Sequence, residues 1–176
     1  GPEQGRMGHC ETHILMPTQA RPNRILLVTG MSGAGKSTTL DTLEDLGWEI
    51  VDNLPFTLLE RLLATPNPEG VPETRPLAIG IDTRTRGFDA RTIVERIKAQ
   101  QTTDKIATLF LDCSGAELER RYSETRRRHP LAPDRPASDG IARERELLAQ
   151  LRRWADQVID TTSLNANDLK AELRGR

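Results

Sequence analysis

Gly30-Met31-Ser32-Gly33-Ala34-Gly35-Lys36-Ser37 satisfies every fixed position of the phosphate-binding pattern G-x-x-x-x-G-K-[ST]. Upstream, Arg24-Ile25-Leu26-Leu27-Val28-Thr29 is a short apolar run that reads as a buried strand. Downstream, Leu40, Leu43 and Leu46 recur at helical spacing, and Gly47 ends the pattern as a C-terminal cap does. Strand, loop and helix are the context the motif needs; a chance glycine-rich turn would lack it. Gly30, Gly33 and Gly35 let the backbone turn tightly and approach phosphate oxygens. The loop amides, Met31, Ser32 and Ala34 included, and the helix N-terminus offer donors and a partial positive charge. Lys36 adds a point charge for the terminal phosphates, and the Ser37 hydroxyl suits Mg²⁺.

A chain of 176 residues has room for one domain with a proper core. Its net charge of −1 gives no reason to expect nucleic acid or an acidic membrane. Cys10 and Cys113 form no metal or disulfide pattern, and Cys113, in an apolar run, reads as a buried reduced thiol. No apolar segment is long enough to span a bilayer, and no secretory h-region is present, so a reducing cytoplasm is expected. Residues 1–23 lack apolar periodicity. Gly1-Pro2 resembles the scar of a cleaved tag, Met7 or Met16 would suit a native start, and the folded domain is expected over 24–173.

After the first helix, Trp48-Glu49-Ile50-Val51 reads as a second strand ending in Asp52-Asn53-Leu54-Pro55. Asn53 suits an N-cap and Pro55 a first helical turn. Asp52 and Asn53 either face a ligand at the strand's C-terminal end or only cap the helix marked by Phe56, Leu59, Leu62 and Leu63. Residues 65–76 are rich in proline and read as a loop. Leu77-Ala78-Ile79-Gly80-Ile81 is a third strand, closing in Asp82-Thr83-Arg84-Thr85. Asp82 is the expected Mg²⁺-side partner of the glycine loop, probed against the plainer reading of a capping acid beside solvated Arg84 and Arg86. A helix over 89–101 on Ile93, Val94 and Ile97 leads to a fourth strand, Ile106 to Leu111, ending in Asp112.

Ser114 and Glu117 then form a capping box, and Leu118 and Tyr122 mark the apolar side of the next helix. This helix runs into Arg120, Arg121, Arg126, Arg127, Arg128 and His129 and stops before Pro130. Lid arginines that stabilise transferred phosphate are one reading of the cluster. A solvated face balanced by Glu117, Glu119 and Glu124 is a second, and an RNA patch with Tyr122 as its stacking group a third. Residues 131–138 would be the hinge of such a lid. Ile141, Leu147, Leu148, Leu151 and Trp154 mark a further helix, 157–160 a fifth strand, and Leu164, Leu169 and Leu173 a closing helix with an Asn or Asp cap. Alternating strands and helices predict an α/β fold: a five-stranded parallel sheet covered on both faces, in the layout of a small P-loop kinase.

Several segments together resemble the RapZ/YvcJ family of nucleotide-binding proteins. They are Gly30 to Ser37, Leu43-Glu44-Asp45-Leu46-Gly47, Val51-Asp52-Asn53-Leu54-Pro55, Ile81-Asp82-Thr83-Arg84, Leu111-Asp112, the run from Arg121-Tyr122 through His129-Pro130-Leu131, and Val158-Ile159-Asp160-Thr161. The resemblance implies a P-loop domain that binds and slowly hydrolyses ATP and GTP. Carried over by position, Gly30 to Ser37 would hold ATP, and Asp82, Thr83, Arg84 and Thr85 would form the segment the family assigns to GTP. It also implies a C-terminal domain linked to RNA binding, RNase recruitment and amino-sugar-phosphate sensing. The chain stops where that domain would begin, so an isolated N-terminal half is expected, without RNA or RNase contacts of its own. Bacterial origin follows from the same resemblance.

Two functions are therefore expected in competition. One is a regulatory module with weak ATPase or GTPase activity, with Lys36, Asp82, Arg126 and Arg127 catalytic and with Mg²⁺ on Ser37 directly and on Asp82 through water. The other is a small-molecule kinase in which Asp52 or Asp82 orients an acceptor hydroxyl, with Asn53, Arg121, Arg128 and His129 on the acceptor side. A GTP switch is a weaker third, because no Asn/Thr-Lys-x-Asp segment follows an apolar strand.

Overall fold

The computed structural model describes residues 24–64, 69–70, 75–86, 88–100, 106–125, 129–132 and 136–175. Five strands are connected by helices in the order β1 (Ile25–Gly30), α1 (Lys36–Asp45), β2 (Glu49–Asp52), a 3₁₀ turn (Phe56–Leu58), α2 (Leu59–Ala64), β3 (Leu77–Gly80), α3 (Ala90–Gln100), β4 (Ile106–Asp112), α4 (Gly115–Thr125), α5 (Ala137–Trp154), β5 (Gln157–Asp160) and α6 (Ala166–Arg174). All pairings are parallel, and the strand order is β2-β3-β1-β4-β5. A parallel strand in mid-sheet is covered on both faces, which is why β1 and β3 are almost continuously apolar and buried.

α1 packs on α6, while α3 and α4 pack on α5. Right-handed crossovers require this division, because β1 to β2 moves across the sheet in the opposite sense to β3 to β4. The register aligns the strand ends that matter: Val28 and Asp52 both stand opposite Gly80, and Gly30 stands opposite Leu111. Asp52, Asp82 and the glycine loop therefore leave the sheet at one edge, where open α/β sheets take their ligands.

The expected elements are all present, with corrections at their ends. Gly47 closes α1 in a Schellman motif, its own N–H on Glu44 O and that of Trp48 on Leu43 O. Asn53 is not an N-cap. It adopts φ 60° and donates its N–H to Gly80 O, and the next helical turn starts as 3₁₀ at Phe56. Only half of the Ser114 capping box forms: Ser114 Oγ accepts the Glu117 N–H, while the Glu117 carboxylate turns to Arg120 and Arg121. Leu147 and Trp154 lie on the exposed side of α5, where Lys98 covers the Trp154 ring. The closing helix has the full box, Asn165 with Asp168. Cys113 is buried and free, and burial pushes its thiol above the ordinary range. Among the described residues, no helix is long and apolar enough to cross a membrane. The expectations placed on residues 1–23, on most of the 65–76 loop, on Arg126, Arg127 and Arg128, and on the middle of the 131–138 hinge lie outside the described residues.

Candidate phosphate site at the strand ends

The glycine loop leaves β1 pressed against β4. A β-carbon on Gly30 would collide with the Leu111 backbone, and Met31 N–H bonds Leu111 O at 3.0 Å. Gly35 has φ 112°, a conformation that favours glycine, and Leu169 Cδ2 of α6 lies 2.7 Å from where its β-carbon would be. Two of the loop's carbonyls are held by side chains: Arg121 Nη1 donates to Gly33 O at 2.9 Å, and Thr161 Oγ1 donates to Ala34 O at 2.7 Å. Three amides expected to meet phosphate are bonded within the fold instead, Met31 N–H to Leu111 O, Ser32 N–H to Glu144 Oε1 and Ala34 N–H to Met31 O.

α1 then starts at Lys36 with no side-chain cap and no acid in its first turn. Its first-turn N–H groups need partners from outside the helix, and an anion supplies them well. Lys36 Nζ lies 3.1 Å from Asp52 Oδ1 and 3.1 Å from Asp82 Oδ2. Asp82 is almost fully buried and also accepts the Arg84 N–H at 2.8 Å and Arg84 Nη2 at 3.1 Å. Burial alone would raise its carboxyl; the Lys36 charge and these hydrogen bonds override that and hold it below the usual carboxylate range. Thr85 Oγ1 accepts the Asp82 N–H, closing a tight turn after β3.

A cleft of about 440 Å³ opens over Gly30 to Gly33, Lys36, Ser37, Asp82 and Arg84. A second hollow of about 510 Å³ lies across the loop, between Arg120 and the 161–169 segment. Among the described residues, no group of three or more His, Cys, Asp or Glu side chains is arranged to hold a metal unaided. Ser37 and Asp82 nonetheless border the same cleft, which fits Mg²⁺, an ion that takes few protein ligands and completes its shell with phosphates and water.

Of the expected site residues, the structure thus brings together Gly30 to Ser37, Asp52 and Asp82 to Thr85. Arg120 spreads over Glu117 and Glu124 on an exposed face, and the hydrogen bonds from Arg120 lead the causes holding the Glu117 carboxyl down at about 2. Arg121 borders the cleft while donating to Gly33 O, Thr161 O and Glu117. His129 does not face an open acceptor side: it is buried, 3.4 Å from Glu144. Sequence reasoning missed Glu144 itself, which reaches the loop from α5 and accepts both donors of Ser32. A signal existed, since Ile141, Glu144, Leu148 and Leu151 share one helical stripe and only Glu144 is polar there.

A parallel sheet with the glycine loop after β1 and a carboxylate after β3 defines a P-loop α/β protein with the small-kinase fold. The chain belongs to the RapZ-like family: residues 23–176 match the RapZ-like N-terminal domain. It is 62% identical over 166 residues to a nucleotide-binding protein of Sphingopyxis alaskensis, covering 92% of this chain and 52% of that protein. It is 58% identical over 162 residues to one of Novosphingobium aromaticivorans, covering 90% and 53%. The chain thus spans about half the length of the curated relatives it matches. Among solved structures, a shikimate kinase from Bacteroides thetaiotaomicron superposes with TM-score 0.57 at 16% identity, covering 86% of this chain and 95% of that one. A gluconokinase from Sinorhizobium meliloti gives 0.51 at 16% identity, covering 87% and 90%. At such identities the likeness is one of fold.

Proposed function

We propose that the chain is a nucleoside-triphosphate-binding domain with slow hydrolysis, a regulatory module of a longer cytoplasmic protein. The observation that carries this reading is the uncapped start of α1 at a cleft lined by the glycine loop, Lys36, Ser37 and Asp82. In this reading Gly30 to Ser37 cradle the phosphates and Lys36 exchanges its exposed Asp52 contact for the terminal phosphate. The Ser37 hydroxyl and, through water, Asp82 would hold Mg²⁺, which would supply charge neutralisation for the bound phosphates. Asp82 and Arg84 border the same cleft as the glycine loop, so ATP and GTP would share one phosphate site, with the base across the loop near Arg120. Arg126 and Arg127 would act on hydrolysis, and Arg121 would hold the loop. Two curated relatives carry the name nucleotide-binding protein, which agrees with this reading. RNA and RNase contacts would belong to the longer protein.

A small-molecule kinase is the second reading. It is favoured by Asp52, a half-exposed carboxylate at a strand end beside Lys36, where an acceptor hydroxyl would arrive. Calorimetric titration with ATP and GTP, with and without Mg²⁺, followed by phosphate release, tests both. Micromolar binding with slow release is expected, lost in Lys36→Ala while its circular dichroism stays that of the parent. Unchanged affinity in a folded Lys36→Ala would refute the site, and fast turnover on adding a polyol acceptor would favour the kinase.

A further inference from the structure

Glu144 is the least expected side chain of the core. It sits on the buried stripe of α5 with no exposed surface, at a position where a leucine would pack without desolvating a charge. Four donors converge on its two oxygens. Ser32 N–H reaches Oε1 at 2.7 Å and the Ser32 hydroxyl reaches Oε2 at 2.5 Å. Thr83, in the turn after β3, approaches Oε2 at 3.4 Å, and His129 Nε2 lies 3.4 Å from Oε1. Leu131 N–H occupies His129 Nδ1 at 3.0 Å, which leaves Nε2 as the ring's donor toward Glu144. One turn earlier on α5, a β-carbon at Gly140 would collide with the His129 ring, so the helix is hollowed to admit it.

A carboxylate is a poor choice here on two counts. Burial opposes its charge, and the charge repels any anion brought to the loop in front of it. What an acid supplies that an apolar side chain cannot is acceptor capacity for both Ser32 donors at once. Ser32 borders the phosphate cleft and Glu144 stands behind it. With Ser32 drawn to the rear, the loop keeps the curvature that leaves its later amides to the front.

We infer that Glu144 is a positioning residue for the glycine loop, acting through Ser32 and making the loop's shape depend on His129 at the exit of the arginine run and on Thr83 after β3. The inference rests on the triphosphate reading above. Its sign separates it from simple electrostatics: deleting a repulsive charge would tighten anion binding, whereas deleting a brace weakens it.

The test uses Mg²⁺-ATP calorimetry and thermal melts on the 176-residue chain carrying Glu144→Gln, Ser32→Ala or both. Glu144→Gln is expected to weaken ATP binding about tenfold. Ser32→Ala should weaken it less, and the double variant should lose less than the product of the single losses, because both act on one contact. Affinity equal to or tighter than the parent's in a folded Glu144→Gln, or independent losses in the double variant, would overturn the inference. So would a lowered melting temperature with unchanged affinity, the mark of a merely structural acid. Should Glu144→Gln not fold, unchanged affinity in Ser32→Ala is enough to reject it. If the parent binds no triphosphate, or Lys36→Ala binds as the parent does, it is the nucleotide reading that fails, and this inference goes with it.

Discussion

Lys36 is occupied before any ligand arrives, with a carboxylate on each side. A triphosphate must displace at least one of them. Asp82 is buried and held by Arg84 as well, so the exposed partner, Asp52, is the one to yield. Asp52→Asn should therefore tighten ATP binding by roughly two- to fivefold, the scale of one exposed ion pair. Calorimetry reads this directly, and weaker binding would show that Asp52 helps rather than competes. The residues of this cleft were legible in the sequence because a local pattern carries them: the glycine loop is one contiguous motif, and Asp52 and Asp82 each close an apolar strand. Glu144 was not, nor were the loop contacts of Arg121 and Thr161, since these are set by long-range partners at Ser32, Gly33 and Ala34. Charge made Arg121 a ligand-side candidate; it borders the phosphate cleft and also clasps the loop through Gly33 O.

Between elements, the corresponding clasp is Asp112 at the end of β4. Arg145 Nη1 reaches its Oδ1 at 3.0 Å and Arg152 Nε its Oδ2 at 2.8 Å, both from α5, while Arg145 Nη2 bonds Cys113 O. Burial would raise this carboxyl, but the Arg152 and Arg145 side chains and the Cys113 N–H hold it below its ordinary 3.8. A depressed acid stabilises the fold above its unfolded value and loses that contribution as pH falls through the folded one. Asp112→Asn should cost about 1–2 kcal/mol at neutral pH, a range already reduced for the partly exposed arginines. The gap from the parent should close below about pH 4, as urea melts across pH would record. Periodicity made these elements visible and misjudged only their ends. Asn53 looked like a cap by composition, yet β2 ends by handing its next N–H to β3, a partner no local window contains.

Over the whole molecule, the α/β alternation and the two-sided cover follow from patterns spread along the chain. The place of β3 between β2 and β1 is written in no residue pattern of β3 itself. In the proposed function, the ligand binds the folded chain alone, so occupancy adds stability by mass action. ATP at about a hundred times its dissociation constant should add about 2.7 kcal/mol, raising the melting temperature by roughly 5–10 °C. Lys36→Ala should show no such rise in a thermal scan with Mg²⁺-ATP.

The brace behind the glycine loop also has an order in time. Ser32 and Glu144 are 112 positions apart, and Ala34 and Thr161 are 127 apart. A ribosome releases the loop well before these supports. Until α5 and the end of β5 emerge, the loop lacks the partners that curve it, and only then does it acquire its shape. The most recognisable piece of the sequence is thus among the last parts of this domain to be finished.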